Sequence, residues 1–305
     1  MSRADIARLM TRDRKRVCAF PINGTRRWYL IEQLQRGTLP ATEADYLRDY
    51  ITRSAENHRH LYRLLFEHGI HTILTSLFGL SLLERGHFYA QVGLNQGLAQ
   101  LATPEFRAFY RELGIRVRFY GDYRRVLPQI GYGHLTDLLE GVMADTAHHD
   151  QRVLFYGVCA DDPVDTVAQL AVQHYQEHGV VPTRAQLIEL YYGEPVAPLD
   201  LFIGFDEPHV FDVPLLATGN EDIYFTVNPS PYLDETELRL ILYDHLYARP
   251  VPETDYTDLT PEAWRALQAF YEANRHTVLG VGRKHVLSGV WYPTTQIKLT
   301  DSFGE

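Results

Sequence analysis

The chain has 305 residues, 45% of them hydrophobic, enough to bury a full core as one large domain or two smaller ones. Its formal net charge of -10 excludes a general nucleic-acid binder, because phosphate backbones select basic faces. No apolar stretch approaches the roughly 20 residues that span a bilayer, and the charged N-terminus lacks the apolar core of a secretion signal, so a cytoplasmic protein without stable membrane insertion is expected.

In chain order, a basic cluster at 12–16 reads as a solvated run, and an apolar strand is expected at 17–22. Helical periodicity then covers about 42–68, a strand 71–77, a helix 80–101 and a strand 117–120. A helix at 135–147, a strand at 153–158, helices at 164–178 and 183–191, and strands at 201–205 and 223–226 follow, with helices at 235–247 and 261–274 closing the series. Thr42, Thr183 and Asp234 suit helix N-caps, and Gln186 completes a capping box with Thr183. Most strand runs are continuously apolar rather than alternating, as strands buried on both faces must be. The expected fold is α/β, a mainly parallel central sheet flanked by helices, in one domain over 1–305 with about 250–305 as an appended C-terminal segment. Cys18 and Cys159 each lie in an apolar run and read as reduced, buried thiols.

The first strand runs into Phe20-Pro21-Ile22-Asn23-Gly24-Thr25-Arg26-Arg27-Trp28. Ligands of open α/β sheets bind where strands lead into helices. At that place Gly24 allows close backbone approach, Thr25 offers a hydroxyl, and Arg26 and Arg27 can clamp an oxyanion. The same residues read equally well as a tight turn bearing two solvent-exposed arginines.

Residues 17–28 resemble the first strand and phosphate loop of cis-prenyltransferases, and Gly114-Ile115-Arg116-Val117-Arg118-Phe119-Tyr120-Gly121-Asp122 and Asp222-Ile223-Tyr224-Phe225-Thr226 are similar to two further motifs of that family. The closer resemblance is to its divergent branch, the tuberculosinol synthase and tuberculosinyl adenosine transferase group, related to kolavelool synthase. That branch shares Phe-Pro-x-Asp-Gly-Thr-Arg-Arg-Trp, matched here at 20–28 except at Asn23. Chain-elongating members hold a second diphosphate with two arginines and a serine. Here those positions are Gly204, Val210 and Asp212, so polyprenyl elongation is disfavoured.

The resemblance implies an allylic diphosphate substrate, bound by Gly24, Thr25, Arg26 and Arg27 with help from Arg85, and the use of Mg²⁺ is an expectation of the same kind. Tyr50 and Tyr89 align with tyrosines important in the tuberculosinol-forming group; Tyr89 lies four residues after Arg85, on the same face of an expected helix. Asn23 stands where the family has a catalytic aspartate serving metal or diphosphate. Three explanations stay open: less metal help, compensation by Asp222 at the family's second acidic metal position, or an inactivating replacement. The leading expectation is a diterpene synthase that ionises a bicyclic C20 allylic diphosphate and quenches the carbocation with water. Transfer to a nucleoside such as adenosine, or an inactive partner subunit, are the alternatives. A homodimer is expected from the fold family.

Other constellations carry less. His148-His149-Asp150 reads as polar capping before a strand, Asp161, Asp162 and Asp165 as acids suited to a helix start, and Glu235, Glu237 and Asp244 as a solvated helix face. Patterns for a serine hydrolase, P-loop NTPase or Rossmann dehydrogenase do not occur.

Overall fold

A computed structural model describes residues 1–38, 40–79, 93–160, 162–209, 213–250, 257 and 259–299. Six parallel strands, β1 (Arg16–Ala19), β2 (Ile70–Phe78), β3 (Ile115–Tyr120), β4 (Arg152–Val158), β5 (Leu201–Phe205) and β6 (Asp222–Thr226), form one sheet in the order β3-β4-β2-β1-β5-β6. These are the strands expected from the apolar runs. β1 ends sooner than expected: the Phe20 N–H still donates to the Leu74 carbonyl at 2.8 Å, but Pro21 has no N–H with which to continue the ladder.

Ten α-helices pack around or follow the sheet among the described residues: α1 (Arg3–Met10), α2 (Thr25–Arg36), α3 (Glu43–Glu67), α4 (Pro104–Leu113), α5 (Tyr123–Gln129), α6 (Gly133–Thr146), α7 (Pro163–His178), α8 (Arg184–Tyr192), α9 (Glu235–Tyr243) and α10 (Pro261–Asn274). Thr42, Thr183 and Asp234 each accept a backbone N–H as N-caps, and Thr183 with Gln186 closes its capping box. Most of the expected helix at 80–101 lies outside the described residues, and its described end is a π-helical turn, Gly93–Leu98, followed by a 3-10 turn, Ala99–Ala102. The helix expected over 235–247 keeps α pitch only to Tyr243; a π turn, Asp244–Ala248, follows, and His245 packs inward with Nδ1 2.6 Å from Asp222.

Successive strand residues point to opposite layers. Ile73, Val117, Leu154, Tyr156 and Ile203 join the layer built with α3, α4 and α6, whereas Val17, Leu74, Val153, Phe155 and Phe202 join the layer under α7 and α8. Burial on both faces explains why these strands lack a polar alternation. The segment 259–299 is different: α10 buries no residue, and a short hairpin of β7 (Gly282–Lys284) and β8 (Trp291–Pro293) follows it. No helix among the described residues is long and apolar enough to cross a membrane.

Residues 12–15 of the basic cluster are exposed, as the sequence suggests, and only Arg16, with its side chain 11% exposed, is withdrawn from solvent. Arg14 and Arg16, inside the basic cluster, both pair with Asp200, whose side chain is only 3% exposed and also accepts the Val17 N–H at 2.8 Å. Glu235 joins Arg3 and Arg239, and Asp244 joins Arg249 and the Tyr224 hydroxyl, so neither merely decorates a wet face.

Within α3, the His58 Nε2 is enclosed without a hydrogen-bond partner among the described residues, and burial pushes the imidazole down to about 4. Below the ordinary value near 6.5 the unfolded chain takes up this proton before the folded one, so stability is full above that value and falls as pH drops toward 4. The cost at pH 5 is about 2 kcal/mol. Melting curves at pH 7.5 and 5 are expected to separate more for the wild type than for His58→Phe; equal separations would remove His58 from the account.

Candidate active site

The loop after β1 turns at Pro21 and is tied to the segment after β6 by a reciprocal pair: the Asn23 N–H donates to Ser230 Oγ at 3.1 Å, and the Ser230 N–H donates to the Asn23 carbonyl at 3.1 Å. Gly24 then adopts φ 75° and caps α2 without a side chain. A Cβ there would lie 2.7 Å from Phe205 Cε1 and 3.0 Å from Pro229 Cβ, so the backbone can come this close to β5 only as glycine.

The start of α2 has an unusual charge pattern. Its first turn contains no acidic residue and instead carries Arg26 and Arg27, at the end of a helix whose dipole already favours negative charge. Unsatisfied backbone N–H groups, a glycine cap and two guanidiniums make a site that an anion would stabilise. Arg26 is exposed and forms no ion pair among the described residues. Arg27 directs Nη1 and Nη2 to Asp206 Oδ2, each at 3.1 Å, and lies over the Phe205 ring with its guanidinium carbon 5.2 Å from the centroid.

Tyr50 reaches the same place from α3. Its hydroxyl lies 2.7 Å from Thr25 Oγ1, and its ring belongs to a cluster with Tyr29 and Tyr46 at centroid distances of 5.4 and 6.2 Å. Asp49 accepts the Tyr29 hydroxyl at 2.8 Å, and burial with this carboxylate raises the Tyr29 phenol well above its ordinary range. The structure therefore brings together Asn23, Gly24, Thr25, Arg26, Arg27 and Tyr50. Arg85 and Tyr89, and likewise Val210 and Asp212, lie outside the described residues. Gly204 sits inside β5, where an added Cβ would run into the Phe225 ring.

Asp222 is not brought to the loop. It is the first residue of β6, a strand parallel to β1 and β5, so it lies at the amino end of the sheet while Thr226 and Asp206 lie at the loop end. There it accepts from Arg249 at 3.3 Å and pairs with His245 at 2.6 Å. The carboxylate beside the loop is Asp206, which the sequence reading did not single out. It follows β5 in the left-handed region at φ 69°, and its Oδ1 is buried with no hydrogen-bond partner among the described residues.

No protein-family model matches the chain. Among curated proteins it is 38% identical over 280 residues to tuberculosinyl adenosine transferase of Mycobacterium tuberculosis, spanning 91% of this chain and 90% of that one. The chain belongs to the family of tuberculosinyl adenosine transferase. A second relative, (+)-kolavelool synthase of Herpetosiphon aurantiacus, is 32% identical over 236 residues and 75% of each chain. Members named for a transferase and a synthase place the chain among the enzymes of terpenoid metabolism. The fold matches lavandulyl diphosphate synthase of Lavandula x intermedia at a TM-score of 0.60, with 15% identity over 76% of this chain and 94% of that one. A probable undecaprenyl diphosphate synthase of Campylobacter jejuni follows at 0.53, with 14% identity over 76% and 95%. The chain thus shares the cis-prenyltransferase architecture, here with the glycine-capped α2 at the carboxyl end of the sheet.

Proposed function

We propose that the chain ionises an allylic diphosphate of the bicyclic C20 class, such as a kolavenyl or tuberculosinyl type, and that water ends the reaction as a diterpene alcohol. The observation that carries this reading is the first turn of α2, with no acid, two arginines and a glycine cap, facing the strand ends. The diphosphate sits on the backbone N–H groups of that turn, with Arg26 and Arg27 stabilising the charge that grows as the carbon–oxygen bond breaks. Thr25 adds a hydroxyl. Asn23 and Asp206 carry oxygens of the kind that would hold a hard ion such as magnesium, which would supply partial neutralisation of the leaving group's charge.

On the carbocation side, the Tyr50 hydroxyl is held by Thr25 and its ring by Tyr29 and Tyr46. Ring faces attract a cation by roughly 0.5 to 2 kcal/mol, and a fixed hydroxyl can orient the attacking water and pass on its proton. Removing that hydroxyl in Tyr50→Phe frees Thr25 and costs about 1 kcal/mol of transition-state stabilisation, a five- to tenfold fall in kcat. Affinity for inorganic pyrophosphate should hardly change; an equal loss in both would make Tyr50 a binding group only.

Nucleoside transfer is the second reading, favoured by the relative that spans 91% of the chain. Incubation with C15 and C20 allylic diphosphates, with and without adenosine, followed by mass spectrometry separates the two. A C20 alcohol in both incubations supports water capture, whereas an adenosine conjugate would replace it. Failure to release pyrophosphate from any substrate would discard the enzyme mechanism for this chain.

A homodimer fits the same architecture. β6 is an edge strand, and Ile223 within it and Val227 just after it, with Leu240, Tyr243 and Tyr247 from α9 and the following turn, leave apolar surface exposed for a second copy.

A further inference from the structure

We propose that Asp206 is the metal-binding carboxylate of this site, taking through Oδ1 the divalent cation that an aspartate at position 23 would otherwise hold. The proposal rests on the reading of the α2 N-terminus as a diphosphate site.

Asp206 is positioned by topology. β5 lies directly beside β1, and Gly24 approaches Phe205 so closely that the residue after Phe205 stands at the mouth of the loop. Its two carboxylate oxygens have different environments. Oδ2 accepts from both Nη atoms of Arg27 at 3.1 Å, while Oδ1 is buried and unpartnered among the described residues. A buried carboxylate oxygen without a donor is costly, and in a site that receives polyanions a cation is the natural partner.

The chemistry of the substrate gives the reason for a cation rather than a water. A diphosphate drawn to Arg27 brings its negative oxygens up to the carboxylate that already shares that guanidinium. Two anions around one arginine repel unless a cation stands between them. Magnesium is commonly held by one or two carboxylates together with substrate phosphates rather than by a full protein cage. Consistent with that, no group of three or more metal-binding side chains occurs among the described residues. Asn23 contributes at most a neutral amide oxygen, so the anionic ligand has moved across the loop to β5.

The test is calorimetric titration of the full chain with inorganic pyrophosphate, in excess Mg²⁺ and in chelator, for the wild type, Asp206→Asn and the double variant Asp206→Asn, Asn23→Asp. Asparagine tolerates the left-handed conformation, so Asp206→Asn should fold and melt like the wild type. The wild type is expected to bind pyrophosphate at least tenfold more tightly with Mg²⁺ than without. Asp206→Asn should lose that gain while binding as well as, or better than, the wild type in chelator, because Arg27 is released. The double variant should regain the Mg²⁺ dependence. Persistence of the full Mg²⁺ gain in Asp206→Asn overturns the metal role while leaving the anion site intact, as does a wild type that binds pyrophosphate equally in both conditions. A wild type that binds no pyrophosphate in either condition overturns the anion site and this role with it.

Discussion

Replacing Arg26 by alanine is expected to lower the rate of pyrophosphate release by about 10²- to 10³-fold, the loss of about 2.7–4 kcal/mol that follows removal of one donor aimed at developing charge. Arg26 is the cleaner of the two arginines to test. It is exposed and has no ion pair among the described residues, so its removal leaves no orphaned carboxylate and the melting temperature should stay unchanged. Arg27→Ala would, in contrast, strip Asp206 of its partner and mix stability with catalysis. Arg26→Lys keeps the charge but not the planar fork, and should restore only part of the rate. A rate for Arg26→Ala within threefold of the wild type would remove Arg26 from the leaving-group side.

Gly24→Ala is expected to be nearly as damaging for a different reason. A Cβ at φ 75° costs about 1–2 kcal/mol in backbone strain alone. The added atom would also sit 2.7 Å from Phe205 Cε1, and Phe205 is only 4% exposed, so its ring has little room to yield. Any movement of that ring disturbs Arg27, which lies over it, and through Arg27 the bond to Asp206. Misplacing the α2 N–H donors by an ångström is enough for roughly a hundredfold loss of rate. Gly37→Ala supplies the control, because Gly37 caps the other end of α2 at φ 66° with nothing near its Cβ position. It should show the backbone cost in a melting curve and retain full activity; equal activity losses in both variants would mean that strain, not the clash with Phe205, governs the loop.

The parts of this protein that were legible in sequence are those whose cause is local. Val153 to Val158 is continuously apolar because both faces of β4 are covered, and Thr183 announces α8 because its capping box lies within four residues. α2 escaped notice because it buries only Tyr29 and Gln33, too few apolar positions to set up a period. α1 hid in the same way: Ile6 and Met10 form one turn of buried contact inside an otherwise charged stretch. Arg26 and Arg27 could be picked out because they are adjacent to a glycine after a strand. Asp206 could not, since it meets Arg27 across 179 positions and only strand order brings them together. Asp222 shows the reverse failing. Its motif is plain in sequence, but the parallel sense of β6 carries it to the far edge of the sheet.

The place of β1 in the sheet has a consequence for how the protein is made. β1 is the first strand of the sheet to leave the ribosome, yet one neighbour is β5, and the Val17 N–H bonds to an Asp200 carboxylate 183 residues later. The wall that shapes the loop, from Phe205 to Ser230, is synthesised later still. A nascent chain can therefore assemble β1 to β4 with their helices while the loop stays open on one side. Pairings of such long range are slow to form and leave apolar edges exposed until they close. The proposed diphosphate site is therefore complete only after β5 and β6 have arrived, so chaperone demand and sensitivity to C-terminal truncation should both centre on those two strands.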